Sequence, residues 1–391
     1  MAGVYVPRHA VILLEIRSPT FRDRAPQVTQ NRSIYVPTPK NRVQQTMLPS
    51  LPRPDLEQVL NLAGPDLSTF RGGRIFLTGS TGFFGRWLAE TWAFAQAHLQ
   101  LQGELHILSR DPEMRIRECP HLNRHAGIHF HRGDQSSFDF PEGTFDAVIH
   151  GAVEHGSPAQ TFLKNLEGMH RTLEFAKAAK ASRFLLISSG AVYGIQPPAL
   201  NRIPESYPGT RDALEASSAY SLAKSASEFL ACEATRAGGP DCVIARAFAF
   251  LGPGLPLDRN YAIGNFIRDA MGSGPIRIEG DGTPFRSYLY AGDLAVWLWA
   301  LLARGCGGMA YNVGSPDAIS ILNLAERVRN TLCPGRAIIV AEQPDPTRSP
   351  ARYVPDTSHA EQELGLKVTV PLETGLQRTA AWMRTGVGAW A

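Results

Sequence analysis

The sequence predicts an α/β fold: a doubly wound parallel sheet with a smaller C-terminal lobe. Three observations predict it. Short apolar runs alternate with helix-like segments from Arg74 onwards, the spacing that lays helices on both faces of a parallel sheet. A glycine-rich turn separates the first apolar run from the first helix. The 391 residues, 43% of them apolar, are enough for one large core with a lobe beside it.

In chain order, Arg74 to Thr78 reads as a buried strand. Gly79 to Gly85 is the turn, and Arg86 to Trp92 is helical. Further strands are expected over Leu105 to Leu108, Ile128 to His131, Ala147 to His150 and Phe184 to Ile187, with a helix over Thr161 to Ala179. After Ala245 the texture turns loopier, with Gly252-Pro253-Gly254 and Gly280-Asp281-Gly282, until a Trp- and Leu-rich helix begins near Asp293. From Ser320 onwards two helical segments and a short strand are expected.

These readings divide the chain. Residues 1–50 mix Pro, Arg, Gln, Thr and Asn without periodicity and are expected to be disordered or loosely docked. Met47 offers an alternative start. Residues 51–71 form a helical lead-in, its helix running from Asp55 to Leu62 behind Pro54. Residues 72–250 with 289–315 form the sheet domain, and 251–288 with 316–391 the lobe.

Thirty-nine basic residues face 36 acidic ones. That balance argues against a surface built to coat nucleic acid. The early apolar run, Ala10 to Leu14, is too short to span a bilayer and leads into Glu15 and Arg17, with no small-residue cleavage site. No membrane association is expected, and a cytoplasmic location is the default. The five cysteines are widely spaced without a CxxC, and the histidines form no ligand cluster along the chain. No metal is expected, and the thiols read as those of a reducing compartment.

The turn Gly79-Ser80-Thr81-Gly82-Phe83-Phe84-Gly85 has GxxGxxG spacing. Glycine permits a tight turn and lets the backbone approach a pyrophosphate. The following helix aims its first N–H groups and partial positive charge at that anion. Gly79, Thr81, Gly82, Phe83, Phe84 and Gly85 are therefore expected to hold a dinucleotide, joined by Gly151 and Ala152 after the fourth strand. The second strand ends in Ser109-Arg110-Asp111. Arg110 offers a permanently charged donor to a 2′-phosphate, which favours NADP over NAD, while Asp111 could instead accept from a ribose. Asp134, after the third strand, is placed to meet the adenine amino group or to make a plain turn.

Tyr220 and Lys224 stand at i and i+4, on one face of a helix. A phenol ionises near pH 10. A neighbouring ammonium and an oxidised nicotinamide would lower that value, letting Tyr220 exchange a proton with a substrate hydroxyl or carbonyl while hydride moves. Both residues then also belong to the cofactor pocket. Ser189, in Ser188-Ser189-Gly190-Ala191-Val192-Tyr193-Gly194 after the fifth strand, could orient the reacting oxygen.

The order TGxxGxxG, SSxxVYG, YxxxK and RxFxxxGPG resembles the extended short-chain dehydrogenase/reductase family, the nucleotide-sugar epimerases and dehydratases, over roughly residues 72–385. The resemblance implies a Rossmann-like NAD(P)-binding domain and a C-terminal lobe holding a nucleotide-diphosphate sugar. It makes Ser189, Tyr220 and Lys224 the catalytic set and Asn165 a structural asparagine, and it suggests a homodimer through paired helices. Gly280 to Tyr288 resembles the segment whose arginine, here Arg286, grips the diphosphate. Asn265 is a further substrate candidate, and Asp293 reads as a helix cap. Two departures stand out. The Asp-Glu pair that follows the catalytic Ser/Thr in 4,6-dehydratases is Gly190-Ala191 here, and the Glu-bearing pattern of the decarboxylases is absent too. The substrate-holding Asn is replaced by Ala249. The chemistry left is epimerisation or keto-sugar reduction. The alternatives are a dehydratase with unconventional acid/base groups such as His155 or Glu205, and a non-catalytic NADP-binding scaffold.

Overall fold

The computed structural model describes residues 48–257 and 261–385. Seven parallel strands make the central sheet: β1 (Arg74–Thr78), β2 (Glu104–Ser109), β3 (Ile128–Arg132), β4 (Ala147–His150), β5 (Arg183–Ser189), β6 (Asp241–Ala247) and β7 (Ala310–Val313). Their spatial order is β7-β6-β5-β4-β1-β2-β3. The chain runs outwards from β1 to β3, then returns to the other side of β1 at β4. The carboxyl ends of β1 and β4 therefore part into a crevice, where open α/β sheets bind ligands.

Apart from the edge strand β3, which is only partly buried, the strands are largely buried on both faces and so read as apolar runs. Ile75 and Leu77 enter a core that also holds Trp87, Trp92, Trp297 and Trp299. Phe76, between them, enters a second core of Phe138, Phe145, Phe175 and Phe184. Trp92 stacks on Trp299 at 5.7 Å between ring centroids, a pairing that adds about 0.5–1.5 kcal/mol beyond the buried area.

All five expected strands are present. β6 and β7 complete the sheet without having stood out along the chain. β7 carries Asn312, a polar residue that argues against a buried strand. The fold satisfies it: Asn312 accepts from the Tyr193 hydroxyl at 2.7 Å and donates to the carbonyls of Ile203 and Asp356, both at 2.9 Å.

The lead-in helix is longer than expected, Arg53–Ser68, and passes through Pro65. Tertiary contacts override the proline's local cost. Leu67 is fully buried, the Tyr290 hydroxyl donates to Asp55 at 2.6 Å, and Arg304 pairs with Asp66 at 2.6 Å. The expected extension over 1–50 lies, up to residue 47, outside the described residues, as does Met47. Its last three residues are docked: the Leu48 N–H donates to the Glu118 carbonyl at 2.9 Å, and Trp382 donates to the Ser50 carbonyl at 2.9 Å.

Beyond Ser320 there are three helices (Ile321–Leu332, Ser358–Leu364, Leu372–Thr385) and two short strands (Ile338–Val340, Arg352–Tyr353), one of each more than expected. The strand Arg352–Tyr353 pairs with Phe285–Arg286, and so brings the C-terminal region to the crevice. Asp293 does not cap its helix. Its carboxylate accepts from the N–H groups of Thr369 and Val370 at 2.9 and 3.0 Å, fastening the C-terminal segment. Among the described residues no helix is long and apolar enough to cross a membrane.

Candidate active site

The glycine turn closes β1 and starts the helix Phe83–Leu99. Gly79 has φ +80°, and a Cβ there would lie 2.4 Å from the Gly151 carbonyl carbon. Only glycine admits that approach of the β1 and β4 ends. The Gly151 and Ala152 N–H groups both donate to the Thr78 hydroxyl at 3.2 Å, which locks the floor of the crevice. Thr81 and Gly82 are exposed at its mouth, and no side chain caps the helix N-terminus. This cradle fits a pyrophosphate, which would take the place of the missing cap. Phe83 and Phe84 contribute backbone there, because their rings pack inwards; that of Phe84 meets Phe250 edge-on at 5.2 Å.

At the end of β2, Ser109 accepts from the Asp111 N–H at 3.2 Å. Asp111 caps the helix Pro112–Glu118 by accepting from the Met114 N–H at 3.0 Å, and this bond lowers its carboxyl pKa. Arg110 is exposed and reaches Glu154 at 3.1 Å. The Glu154 loop is held by Asn165, which accepts from its N–H at 3.0 Å and donates to its carbonyl at 2.8 Å. Asp134 serves its own turn, accepting from the Ser136 N–H at 3.0 Å and hydroxyl at 2.6 Å.

Ser189, Tyr220 and Lys224 converge at the end of β5. The Ser189 hydroxyl lies near enough to the Tyr220 phenol to lower its pKa, and it accepts from the Ala191 N–H at 3.1 Å. Lys224 lies one turn beyond Tyr220 on the helix Ala219–Arg236. It is buried and donates to the Ile187 carbonyl at 2.8 Å, its Nζ 6.0 Å from the Tyr220 ring centroid. Burial brings the Lys224 pKa down to about 8, opposed by the charge on Glu228. Burial holds the Tyr220 pKa above that of a free phenol, opposed by the nearby Ser189 hydroxyl. Lys224, one of its donors engaged by the Ile187 carbonyl, keeps its charge on the Tyr220 side of the helix.

Three residues at this centre escaped the reading along the chain. The Tyr353 phenol also lies beside Ser189, which opposes the rise in its pKa that burial causes. Phe248 lies against Tyr353 at 4.6 Å between ring centroids. Together they close off Gly190: a Cβ there would meet the Tyr353 hydroxyl at 2.7 Å and Phe248 Cζ at 2.8 Å. The third, Glu228, joins β5 to the catalytic helix by accepting from Ser188 Oγ at 2.6 Å and from Arg246 at 2.7 Å. Only Phe248 lay in a motif, and nothing in its spacing showed which way it faces.

Arg286 sits on the strand beside Tyr353, and its charge acts on the Tyr288 and Tyr353 phenols. Asn265 accepts from Arg268 at 3.3 Å on its own helix. The His155 ring stands 6.2 Å from that of Tyr220. His150 is buried beneath, between the hydroxyls of Thr78 and Thr172 at 3.1 Å each, and burial takes its pKa down to about 3. Glu205 is occupied elsewhere, accepting from the Asn312 N–H of β7 at 2.8 Å.

The model of the NAD dependent epimerase/dehydratase family matches residues 75–314. UDP-glucuronic acid decarboxylase 1 of Arabidopsis thaliana is 32% identical over 231 residues, 59% of this chain and 52% of the relative. The dTDP-glucose 4,6-dehydratase of Streptomyces niveus is 28% identical over 263 residues, 66% of this chain and 75% of the relative. The chain spans between 48% and 63% of the length of the Arabidopsis decarboxylases it matches. Among solved structures, the epimerase Mth375 of Methanothermobacter thermautotrophicus superposes with a TM-score of 0.69 at 23% identity, over 83% of this chain and 96% of that one. RMD from Pseudomonas aeruginosa, complexed with NADPH, has a TM-score of 0.62 at 25% identity, over 80% and 99%.

Proposed function

The chain belongs to the NAD-dependent epimerase/dehydratase family, and from that premise we propose that it exchanges a hydride at one carbon of a nucleotide-diphosphate sugar, as an epimerase or a keto-sugar reductase. The observation that carries this reading is Gly190. The place after Ser189 has no side chain and no room for one, because Tyr353 and Phe248 fill the space. Ala191 has nothing to titrate. An acid/base pair for removing water has no seat beside Ser189, while the groups for a single proton transfer are all present.

A nicotinamide dinucleotide, held by the Gly79–Gly85 turn and by Ser109 and Arg110, supplies the hydride chemistry when bound. Tyr220 handles the proton. Its phenol is protonated at neutral pH, since burial raises its pKa, so it stands ready to donate to the oxygen of a carbonyl whose carbon receives hydride. Ser189 fixes that oxygen by hydrogen bonding. Lys224 anchors the helix that carries Tyr220 to β5. In the reverse direction Tyr220 takes the hydroxyl proton, a general base whose part in such transfers is worth about 10²–10⁴-fold. Arg286 supports the diphosphate at the lobe side of the crevice, its forked donors suiting paired phosphate oxygens.

One observation favours a second reading. The His155 ring beside Tyr220 is a titratable group that could take the part of the missing acid, giving elimination of water. Incubation with UDP-, dTDP-, CDP- and GDP-sugars plus NADP(H), followed by mass spectrometry, separates the two. Unchanged mass with altered retention means epimerisation, added hydrogen means reduction, and loss of water replaces the proposal with elimination. Tight cofactor binding without turnover of any of these sugars supports a scaffold instead.

The cofactor is proposed to be NADP(H). Asp111 is committed to its helix cap, whereas Arg110 lies exposed at the end of β2. Arg110→Ala is expected to weaken NADPH binding about tenfold to a hundredfold, the worth of hydrogen bonds from a charged donor, and to leave NADH binding nearly unchanged. Titration of cofactor fluorescence measures both. A parallel loss for the two cofactors would contradict the preference.

A further inference from the structure

At the other end of the sheet, far along β2 and β3 from the glycine turn, Glu104, His106 and His129 come together. Scanning the chain showed no ligand cluster among the histidines, because the cluster arises from strand pairing. β2 and β3 run parallel with His106 opposite His129. Glu104 precedes His106 by two residues, so alternation puts all three side chains on one face. Among the described residues this is the one group of three such side chains whose ligand atoms all lie within 4.8 Å of one another.

From this convergence we propose that Glu104, His106 and His129 form a binding site for a divalent transition-metal ion of the zinc class, clamping the edge strand β3 to β2. A tetrahedral zinc with bonds of about 2.0–2.2 Å needs ligand atoms about 3.4 Å apart. His106 Nε2 lies 2.9 Å from one Glu104 oxygen, and His129 Nε2 lies 4.0 Å from the other. The distances run to the two different carboxylate oxygens, so Glu104 and His129, both partly exposed, would rotate to present one oxygen and one nitrogen with His106 Nε2, and water would complete the coordination.

The surroundings suit the role. His106 is buried, and its Nδ1 lies 2.8 Å from His131 Nε2. A proton on that Nδ1 fixes the ring with the Nε2 lone pair turned towards Glu104, the outer-shell support that metal-binding histidines usually have. Arg74 is the competitor, its Nε donating to Glu104 at 2.9 Å and its Nη2 lying 3.3 Å from His106 Nε2, so the guanidinium must swing aside for a metal. It is not left stranded when a metal arrives, because it also donates to the carbonyls of Glu142 and Thr144 at 3.0 and 3.1 Å and lies over the Phe145 ring. The imidazole-rich donor set prefers zinc, copper, nickel or cobalt to magnesium or calcium.

The test uses the full chain without a histidine tag, dialysed against chelator and then titrated with cobalt(II) while visible absorption is recorded. One equivalent should bind saturably with the intense d–d bands of a low-coordinate nitrogen- and oxygen-ligated ion, and zinc should displace it. His129→Ala and Glu104→Gln, both changes at partly exposed positions, should each weaken binding by more than about tenfold. Zinc should also raise the melting temperature of the parent protein and not that of either variant. Absence of saturable cobalt binding overturns the proposal, and so does binding that both variants retain at full strength.

Discussion

Tyr220→Phe is expected to lower turnover by about 10²–10⁴-fold, the range for loss of a positioned general acid/base, while cofactor affinity stays within a factor of about two. The substitution removes one oxygen and leaves the ring, so the helix Ala219–Arg236 keeps its packing. That oxygen carries the proposed proton transfer, and its nearness to Ser189 indicates where the reacting oxygen must lie. Single-turnover kinetics with the substrate found by mass spectrometry, beside a cofactor titration, separate chemistry from binding. A variant retaining more than about a tenth of parental turnover would remove Tyr220 from its assigned role, and His155, whose ring stands 6.2 Å away, would then be examined first.

Glu228→Ala should cost about 3–5 kcal/mol of stability, because it strands a buried charge whose partner is gone. Arg246 bonds to both Glu228 oxygens, and the two side chains are 17% and 10% exposed. Removing the carboxylate leaves that guanidinium with the Tyr193 hydroxyl and the Glu205 carbonyl alone. Ser188 loses its acceptor as well. Glu228 lies one turn beyond Lys224, so the damage falls on the join between the catalytic helix and β5. Urea unfolding followed by circular dichroism measures the loss. A decrease below about 1 kcal/mol, the worth of an exposed pair, would mean that water reaches and screens this pair.

Much of the fold was legible because it rests on local periodicity. Four of the five expected strands were legible as apolar runs and β3, at the sheet edge, as a shorter mixed run, and the glycine turn as a strand-to-helix junction. Tyr220 and Lys224 were legible together because one helix places i and i+4 on one face. β6 and β7 were harder to see. The first merges into looser sequence at its end, and the second carries Asn312, whose three hydrogen bonds come from distant parts of the chain. Asp293 misled for a related reason. Its position suggests a cap, yet its carboxylate serves Thr369 and Val370, which only folding brings near.

By itself, then, the sequence determined the sheet class and the glycine turn between strand and helix, because each depends on residues close together in the chain; Ser189, Tyr220 and Lys224 it joined only through the likeness of their motifs to the family. The tertiary structure alone decided that Lys224 bonds to the Ile187 carbonyl, that Tyr353 and Phe248 occupy the space beside Gly190, and that Glu104, His106 and His129 share a face. Each of those is a contact between separate strands or between a strand and a helix, and such a contact has no period from which it can be read.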